Sequence, residues 1–205
     1  MFDTMHKELK KTVLRSQHVQ RNWDLSKDIP EDDLNLLIHA ATNCPSKQNF
    51  AFYKLHFITN REKIEAIHDL TEGLRNMKGE MSTNSQTLAN LLVVFEDVDP
   101  SEALVEKWKL RDKSNLETLK RDQQMAVGVA AGYLNVIASM LGYGTGCCAC
   151  YNDEEVRQKI GFDKRPILMM GIGFKDESRN RREHHKTREM MGRRIKEPIE
   201  VIITR

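Results

Sequence analysis

A short polar segment, residues 43–49, has the sequence Asn-Cys-Pro-Ser-Lys-Gln-Asn. It follows apolar residues at helical spacing over residues 34–41, and Pro45 ends that helix because proline has no backbone N–H to donate. The apolar residues 50–58 that follow predict a buried strand. Serine, glutamine and asparagine on such a loop donate and accept hydrogen bonds, which suits the edge of a heteroaromatic ring. An ordinary connecting loop is the alternative.

The four cysteines are Cys44, Cys147, Cys148 and Cys150, so three of them fall within four positions. This spacing is a poor disulfide framework. Zinc ligands are usually spaced as C-x-x-C or wider, which disfavours a metal site built from these thiols. We therefore expect small, buried cysteine side chains and no bound metal.

The composition indicates an ordinary soluble domain. The chain has 205 residues, which we interpret as one domain over residues 1–205, and its net charge of +2 gives no reason to expect nucleic acid as a partner. Residues 1–8 contain no apolar run, so we expect no signal peptide and a cytoplasmic protein. Residues 125–143 approach the length of a membrane span, but they include Asn135 and Ser139 and predict a buried helix instead.

Helices and strands alternate along the chain in a pattern typical of α+β proteins. Apolar periodicity and capping residues predict helices over residues 5–17, from Pro30, and over 61–70, 101–120 and 124–141. Continuous apolar runs predict strands over residues 50–58, 91–95, 167–173 and 199–204.

The order of several short motifs resembles the nitroreductase family of flavin-dependent reductases. Pro-Ser-x-x-Asn at residues 45–49 comes first, Gly-Tyr-Gly-Thr at 142–145 ends the long helix, and Val-Arg-Gln-Lys-Ile-Gly follows at 156–161. The resemblance extends over roughly residues 15–182. It implies an α+β fold with a central, mostly antiparallel sheet flanked by helices and a C-terminal strand exchanged between subunits.

The same resemblance implies an FMN-dependent oxidoreductase, a homodimer with FMN at the subunit interface. Hydride would pass from NAD(P)H to flavin N5 and then to a nitroaromatic, a quinone or a related acceptor, and no side chain need act as a catalytic acid or base. The rival hypothesis is a non-enzymatic flavin-binding or interaction protein on the same fold. A small RNA- or DNA-binding protein using the basic residues 179–194 is disfavoured because this tract lacks interleaved aromatic residues.

The basic motif near the N-terminus of the family corresponds here to residues 17–24. The match assigns Arg21 as a cofactor contact together with Gln17 and His18. Gln17 stands where an arginine is common, so a register shifted by two residues, with Arg15 as the contact, stays open.

The other cofactor contacts implied by the resemblance come from four further segments. The loop of residues 45–49 would lie along the isoalloxazine ring, and an arginine pair would close over the phosphate. Backbone N–H groups of an open loop at residues 147–150 would reach flavin N5, and a redox-active thiol in that loop is the alternative. The residues are Pro45, Ser46, Lys47, Asn49, Asn84, Gln86, Cys148, Ala149, Cys150, Arg181 and Arg182. For the arginines, a solvated charge run is the alternative, and for Asn84 and Gln86 the alternative is a pair of ordinary amides on a helix surface.

Two features predict a dimer. Gly128 and Gly132 lie four residues apart on one helix face, and a glycine pair within a helix suggests close packing against another helix. The apolar strand predicted at residues 199–204 needs the edge of a sheet to pair with. Packing of the glycine face within one subunit is the alternative.

Overall fold

The computed structural model describes residues 2–72, 74–75, 81–82, 84–109, 113–176, 178 and 198–204. Along these residues the helices are α1 (Phe2–Ser16), α2 (Glu31–Thr42), α3 (Arg61–His68), α4 (Glu102–Lys107), α5 (Lys113–Met140) and α6 (Asp153–Ile160). The strands are β1 (Lys54–Ile58), β2 (Leu74–Arg75), β3 (Met81–Ser82), β4 (Leu91–Glu96), β5 (Gly144–Cys148) and β6 (Pro166–Gly173). Two short 3-10 turns cover Lys47–Asn49 and Ser85–Leu88.

Four strands form the central sheet in the order β1-β4-β6-β5, and every pair of neighbours is antiparallel. β4 lies inside the sheet with all six residues buried. Because side chains alternate along a strand, Leu91, Val93 and Phe95 pack on the face covered by α2 and α5. Leu92 and Val94 pack on the opposite face with residues of α3 and α6. The predicted α+β fold with an antiparallel sheet between helices is confirmed.

α5 is 28 residues long, or about 42 Å at 1.5 Å per residue. Its inner face contributes Val127, Leu134 and Ala138 to the core between the sheet and α2. Of the helices that the structure describes, none has the length and apolar character to cross a membrane. The prediction of a buried rather than membrane-spanning helix at residues 125–143 agrees with this packing.

Three predicted elements have clearly different bounds in the structure. The strand predicted at residues 50–58 begins at Lys54, because the preceding aromatic residues pack on Trp108 instead of extending the sheet. The helix predicted at residues 101–120 is divided: α4 ends at Lys107, and Lys109 has a φ of 50°, which a continuous helix does not allow. α5 then begins at Lys113, eleven residues before the position 124 predicted from the sequence.

The C-terminal segment, residues 198–204, forms no strand in the single chain. Its apolar side chains Ile199, Val201, Ile202 and Ile203 are between 72% and 82% exposed. Four large apolar side chains in water are unfavourable, since each fully buried one stabilises a fold by about 1.5–3 kcal/mol. The exchange of this segment between subunits stays a prediction.

Candidate functional site

The segment after α1 runs along the ends of β5 and β6. Val19 pairs with Thr145, and the Gln20 N–H donates to the Thr145 carbonyl at 2.7 Å. Trp23 pairs with Lys175 a few residues later. The basic motif predicted at residues 17–24 is therefore held against the end of the central sheet, close to the Gly-rich turn that precedes β5.

Two glycines of β5 are required for steric reasons. A Cβ added at Gly144 would lie 2.8 Å from the Gln20 Cβ, and one added at Gly146 would lie 2.6 Å from the Gln86 Cβ. Both distances are shorter than real side chains tolerate. The glycines of the Gly-Tyr-Gly-Thr-Gly sequence thus allow the N-terminal motif and the turn Ser85–Leu88 to approach the same strand.

Arg21, Asn84 and Gln86 meet at this point, and we call these three residues the amide cluster. The Arg21 Nε donates to the Gln86 Oε1 at 3.3 Å, and the Gln86 Nε2 lies 3.3 Å from the Asn84 Oδ1 and 3.5 Å from the Cys147 carbonyl. The Asn84 Nδ2 also reaches the Cys150 carbonyl at 3.3 Å. Asn84 and Gln86 are 8% and 4% exposed. Residues from three predicted segments are therefore linked by hydrogen bonds at one site, where Arg21 is half-buried.

The turn that carries Gln86 is fixed from two sides. The Trp23 indole N–H donates to the Ser85 carbonyl at 2.8 Å, and the Thr87 hydroxyl lies 2.9 Å from the His68 Nδ1. The turn also packs closely on β6, where a Cβ at Gly171 would come within 2.0 Å of the Gln86 carbonyl oxygen. These contacts fix the backbone from which the Gln86 side chain projects.

The two arginines considered for the N-terminal motif have different surroundings. Arg15 ends α1 and its Nη2 donates to Thr12 of the same helix at 3.3 Å. Arg21 is the arginine that lies against Gln86. Gln17 and His18 are exposed in the turn that follows α1. The assignment of Arg21 as the cofactor contact of this motif stays a prediction.

The cysteine segment is in part a strand, not the open loop that the sequence predicted. Cys147 and Cys148 belong to β5 and pair with Met170 and Met169 of β6, so the loop begins only at Ala149. Cys147 and Cys150 are exposed and only Cys148 of this segment is buried, so the expectation of buried cysteine side chains is wrong for the other two. Burial raises the pKa of the Cys148 thiol, which keeps it protonated and unreactive.

Cys44 makes its contacts elsewhere and not with the cysteine segment of residues 147–150. Its thiol donates to the Ala41 carbonyl and lies 3.3 Å from the Tyr53 hydroxyl. Within the described part of the chain, no three His, Cys, Asp or Glu side chains are arranged to hold a metal ion.

The Pro45–Asn49 segment forms a tight turn beside a second surface. Gln48 and Asn49 both have positive φ values, 54° and 58°, and the Ser46 hydroxyl donates to the Phe50 carbonyl at 2.7 Å. Lys47 reaches away to Asp122 of α5, with its Nζ 2.6 Å from the carboxylate. The ammonium predicted to contact a cofactor is therefore engaged by the protein, and its contact with a cofactor stays a prediction.

A cavity of about 910 Å³ lies against this turn, and we call it the loop cavity. Its lining includes Cys44, Pro45, Ser46, Asn49, Phe50 and Tyr133. Tyr133 belongs to the outer face of α5. Among the described residues, the lining contains no member of the amide cluster, so one chain presents the two predicted contact surfaces separately.

Arg181 and Arg182, the predicted phosphate contacts, lie outside the described residues.

Asp122 and Trp108 lie beside the Pro45–Asn49 turn and were not predicted from the sequence. A signal for Asp122 does exist, because a carboxylate between Leu119 and Ala126 interrupts the apolar stripe of α5. Such an acid is buried and needs a partner.

Comparison with known proteins agrees with this fold. The sequence model of the nitroreductase family matches residues 14–174, and the chain belongs to that family. No curated protein sequence matches the chain significantly.

Solved structures show the same fold at low sequence identity. A nitroreductase family protein from Clostridium novyi NT is 18% identical, with a TM-score of 0.63 over 86% of this chain and 90% of that one. An FMN-dependent nitroreductase from Clostridium difficile R20291 is 16% identical, with a TM-score of 0.55 over 80% and 86%. The FMN complex of a protein from Exiguobacterium sibiricum 255-15 is 15% identical, with a TM-score of 0.61 over 83% and 90%.

Proposed function

We propose that this protein is an FMN-dependent oxidoreductase that takes a hydride from NAD(P)H and delivers it to a nitroaromatic, a quinone or a related acceptor. One observation carries the proposal: Arg21, Asn84 and Gln86, predicted separately as cofactor contacts, are joined by hydrogen bonds beside the segment 147–150. Membership of the nitroreductase family supports it. So do the FMN complex and the FMN-dependent enzyme among the structures of similar fold.

The donors present fit the demands of FMN. The Arg21 guanidinium supplies positive charge and forked N–H groups for a ring or phosphate oxygen. The Gln86 amide is buried and held in one orientation, which suits a polar ring edge. FMN, when bound, supplies hydride transfer at N5. The chain's task is to hold, orient and shield it, with the backbone after Cys148 offering donors and the turn at residues 45–49 offering Ser46 and Asn49.

We further propose that two copies of the chain complete the site. The outer face of α5 carries Met125, Val129, Tyr133, Val136 and Met140, which are between 37% and 61% exposed. A continuous apolar face of this kind usually marks an interface. Because Tyr133 belongs both to this face and to the loop cavity, a second copy docked there would bring another surface to the loop.

The experiment that tests cofactor binding is a titration of apoprotein with FMN and with riboflavin, followed by flavin fluorescence. We expect one FMN per chain and weaker binding of riboflavin, which lacks the phosphate. Equal affinity for the two flavins would contradict the phosphate contact, and absence of quenching by FMN would contradict the proposal as a whole.

The reaction is tested by anaerobic mixing of the FMN-loaded protein with NADH or NADPH, followed by p-nitrobenzoate or menadione. Bleaching of the flavin absorbance by one of the nucleotides, and its return with an acceptor, is the expected result. A protein that binds FMN but is bleached by neither nucleotide would instead be a non-enzymatic flavin-binding protein.

Light scattering of the FMN-loaded protein tests the proposed dimer. A monodisperse monomer that retains FMN would contradict it.

A further inference from the structure

A buried carboxylate lies behind the turn at residues 45–49. The side chain of Asp122, on α5, is 5% exposed, and its Oδ2 is 2.6 Å from the Lys47 Nζ. Removing a carboxylate from water is expensive unless a partner compensates for its charge. The short distance and the burial mean that Asp122 holds the Lys47 side chain firmly, although 44% of that side chain is exposed.

Trp108 is a second contact on the same ammonium group. The Lys47 Nζ lies 4.2 Å from the centroid of the Trp108 ring, a favourable cation–π position. The ring also packs edge-on against Phe50, with centroids 5.9 Å apart. Lys47 and Phe50 are the residues on either side of the Gln48–Asn49 pair, so the turn is fixed at both of its ends.

The turn needs such support because its backbone is unfavourable. Gln48 and Asn49 are consecutive residues in the left-handed region. A non-glycine residue in that region persists when its surroundings impose it. The backbone hydrogen bonds of the turn are long: the Asn49 N–H reaches the Ser46 carbonyl and the Phe50 N–H reaches the Lys47 carbonyl, both at 3.2 Å, and the Ser46 hydroxyl adds one bond of 2.7 Å to the Phe50 carbonyl.

We propose that Asp122 is a positioning residue which, acting through Lys47, sets the shape of the Pro45–Asn49 turn for contact with the FMN ring. The inference rests on the proposed function in that it takes the turn to be a ring contact. It assigns Lys47 to the support of the turn, with Ser46 and Asn49 facing the cofactor. Asp122 itself touches no cofactor.

The first experiment measures the turn in apoprotein, where flavin plays no part. Hydrogen exchange of the peptide covering residues 46–50 is compared among the wild type, Asp122→Asn, Lys47→Met and Lys47→Arg. We expect at least tenfold faster exchange in Asp122→Asn and Lys47→Met, and exchange close to wild type in Lys47→Arg, which keeps a cation for Asp122. Wild-type exchange in both of the first two variants would overturn the proposal.

The second experiment measures flavin affinity in the same variants. Riboflavin and FMN share the ring, so a misplaced turn should weaken both by the same factor, about tenfold. The double variant Asp122→Asn, Lys47→Met should be no worse than either single variant, because both remove the same support. A loss confined to FMN would place Asp122 on the phosphate side and overturn the assignment, as would a drop in thermal stability without change in affinity for either flavin.

A matched control separates this pair from ion pairs in general. The Lys164 Nζ is 2.9 Å from Asp99, and the lysine is again 44% exposed, but the aspartate is 78% exposed. Asp99→Asn should behave as wild type in both experiments. If Asp122→Asn fails to fold, Lys47→Met, altered at a half-exposed position, carries both tests. Failure of the wild type to bind any flavin would refute the proposed function and leave the exchange result to decide whether Asp122 supports the turn.

Discussion

The amide cluster and the loop cavity, both predicted to contact one cofactor, are built in opposite ways. The amide cluster is complete within one chain: Asn84 and Gln86 are almost fully buried, and their hydrogen bonds join the N-terminal motif to the segment around β5. The loop cavity opens beside Tyr133 on a face of α5 that a single chain leaves exposed. In the dimer that we propose, the first surface is formed by folding and the second is completed by association.

The strongest test of this difference is to prevent association while leaving the amide cluster intact. Deleting residues 198–205 removes the exposed apolar side chains Ile199, Val201, Ile202 and Ile203. If they pair with the sheet of a partner, the dimer should dissociate and FMN affinity should fall at least a hundredfold, about 2.8 kcal/mol. Light scattering and FMN titration measure the two effects. A truncated protein that stays dimeric and yellow would show that this segment is not part of the interface.

A single substitution should disable the amide cluster without affecting the dimer. Arg21→Ala removes the guanidinium beside Gln86, and a charge-assisted hydrogen bond is typically worth about 1.5–3 kcal/mol. We expect FMN binding to weaken by roughly ten- to a hundredfold, with light scattering unchanged. Arg15→Ala is the matched control, since Arg15 bonds within its own helix, and it should bind FMN normally. If Arg15→Ala weakened FMN binding and Arg21→Ala did not, the shifted register of the N-terminal motif would be correct.

The support of Gln86 by β6 can be tested separately from its chemistry. Gly171→Ala would place a methyl group 2.0 Å from the Gln86 carbonyl oxygen and 3.0 Å from the Ala89 Cβ. Since the first of these atoms is backbone, the turn must shift, which should cost about 1–3 kcal/mol of folding free energy and weaken FMN binding as well. Chemical denaturation and FMN titration measure both. Unchanged values would mean that the turn is less rigid than its contacts indicate.

The sequence predicts local features of this molecule well and contacts between distant residues poorly. Strand β4 and helix α2 follow from apolar periodicity and proline, which act locally. The contact between Arg21 and Gln86 spans 65 positions in sequence, so only the family resemblance brought them together. The cysteine segment was misread because Gly144–Cys148 owes its strand conformation to pairing with β6, which composition does not reveal. Asp122 was missed because its partner Lys47 is 75 residues away.

The effect of replacing the two glycines of α5 by alanine depends on whether this helix face is exposed to solvent or packed against a partner helix. A Cβ added at Gly128 or Gly132 meets no atom within 4 Å in the single chain. For an isolated chain, replacement by alanine should therefore stabilise the helix by about 0.5–1 kcal/mol. Close packing against a partner helix predicts the reverse, because the methyl groups hold the helices apart. We expect dimers of Gly132→Ala to dissociate at higher protein concentration than wild type, and tighter or unchanged dimers would count against helix packing at this face.

The smallest effect on activity is expected from replacing the three clustered cysteines, although thiols are the most reactive side chains in this part of the chain. The amide cluster is bonded to the carbonyls of Cys147 and Cys150, and Gln86 and Arg21 also act on the thiol of Cys148. Burial raises the pKa of Cys148, so little reactive thiolate forms near neutral pH. The variant with alanine at all three positions keeps every backbone group, and NAD(P)H oxidation should stay within roughly tenfold of wild type, a barrier change below about 1.4 kcal/mol. Flavin content is measured alongside the rate, because a loss of both would report only failed packing of the buried Cys148 side chain. A fall of several orders of magnitude with FMN still bound would mean that a thiol takes part in the chemistry, and the amide cluster would then have to be reinterpreted as a redox site.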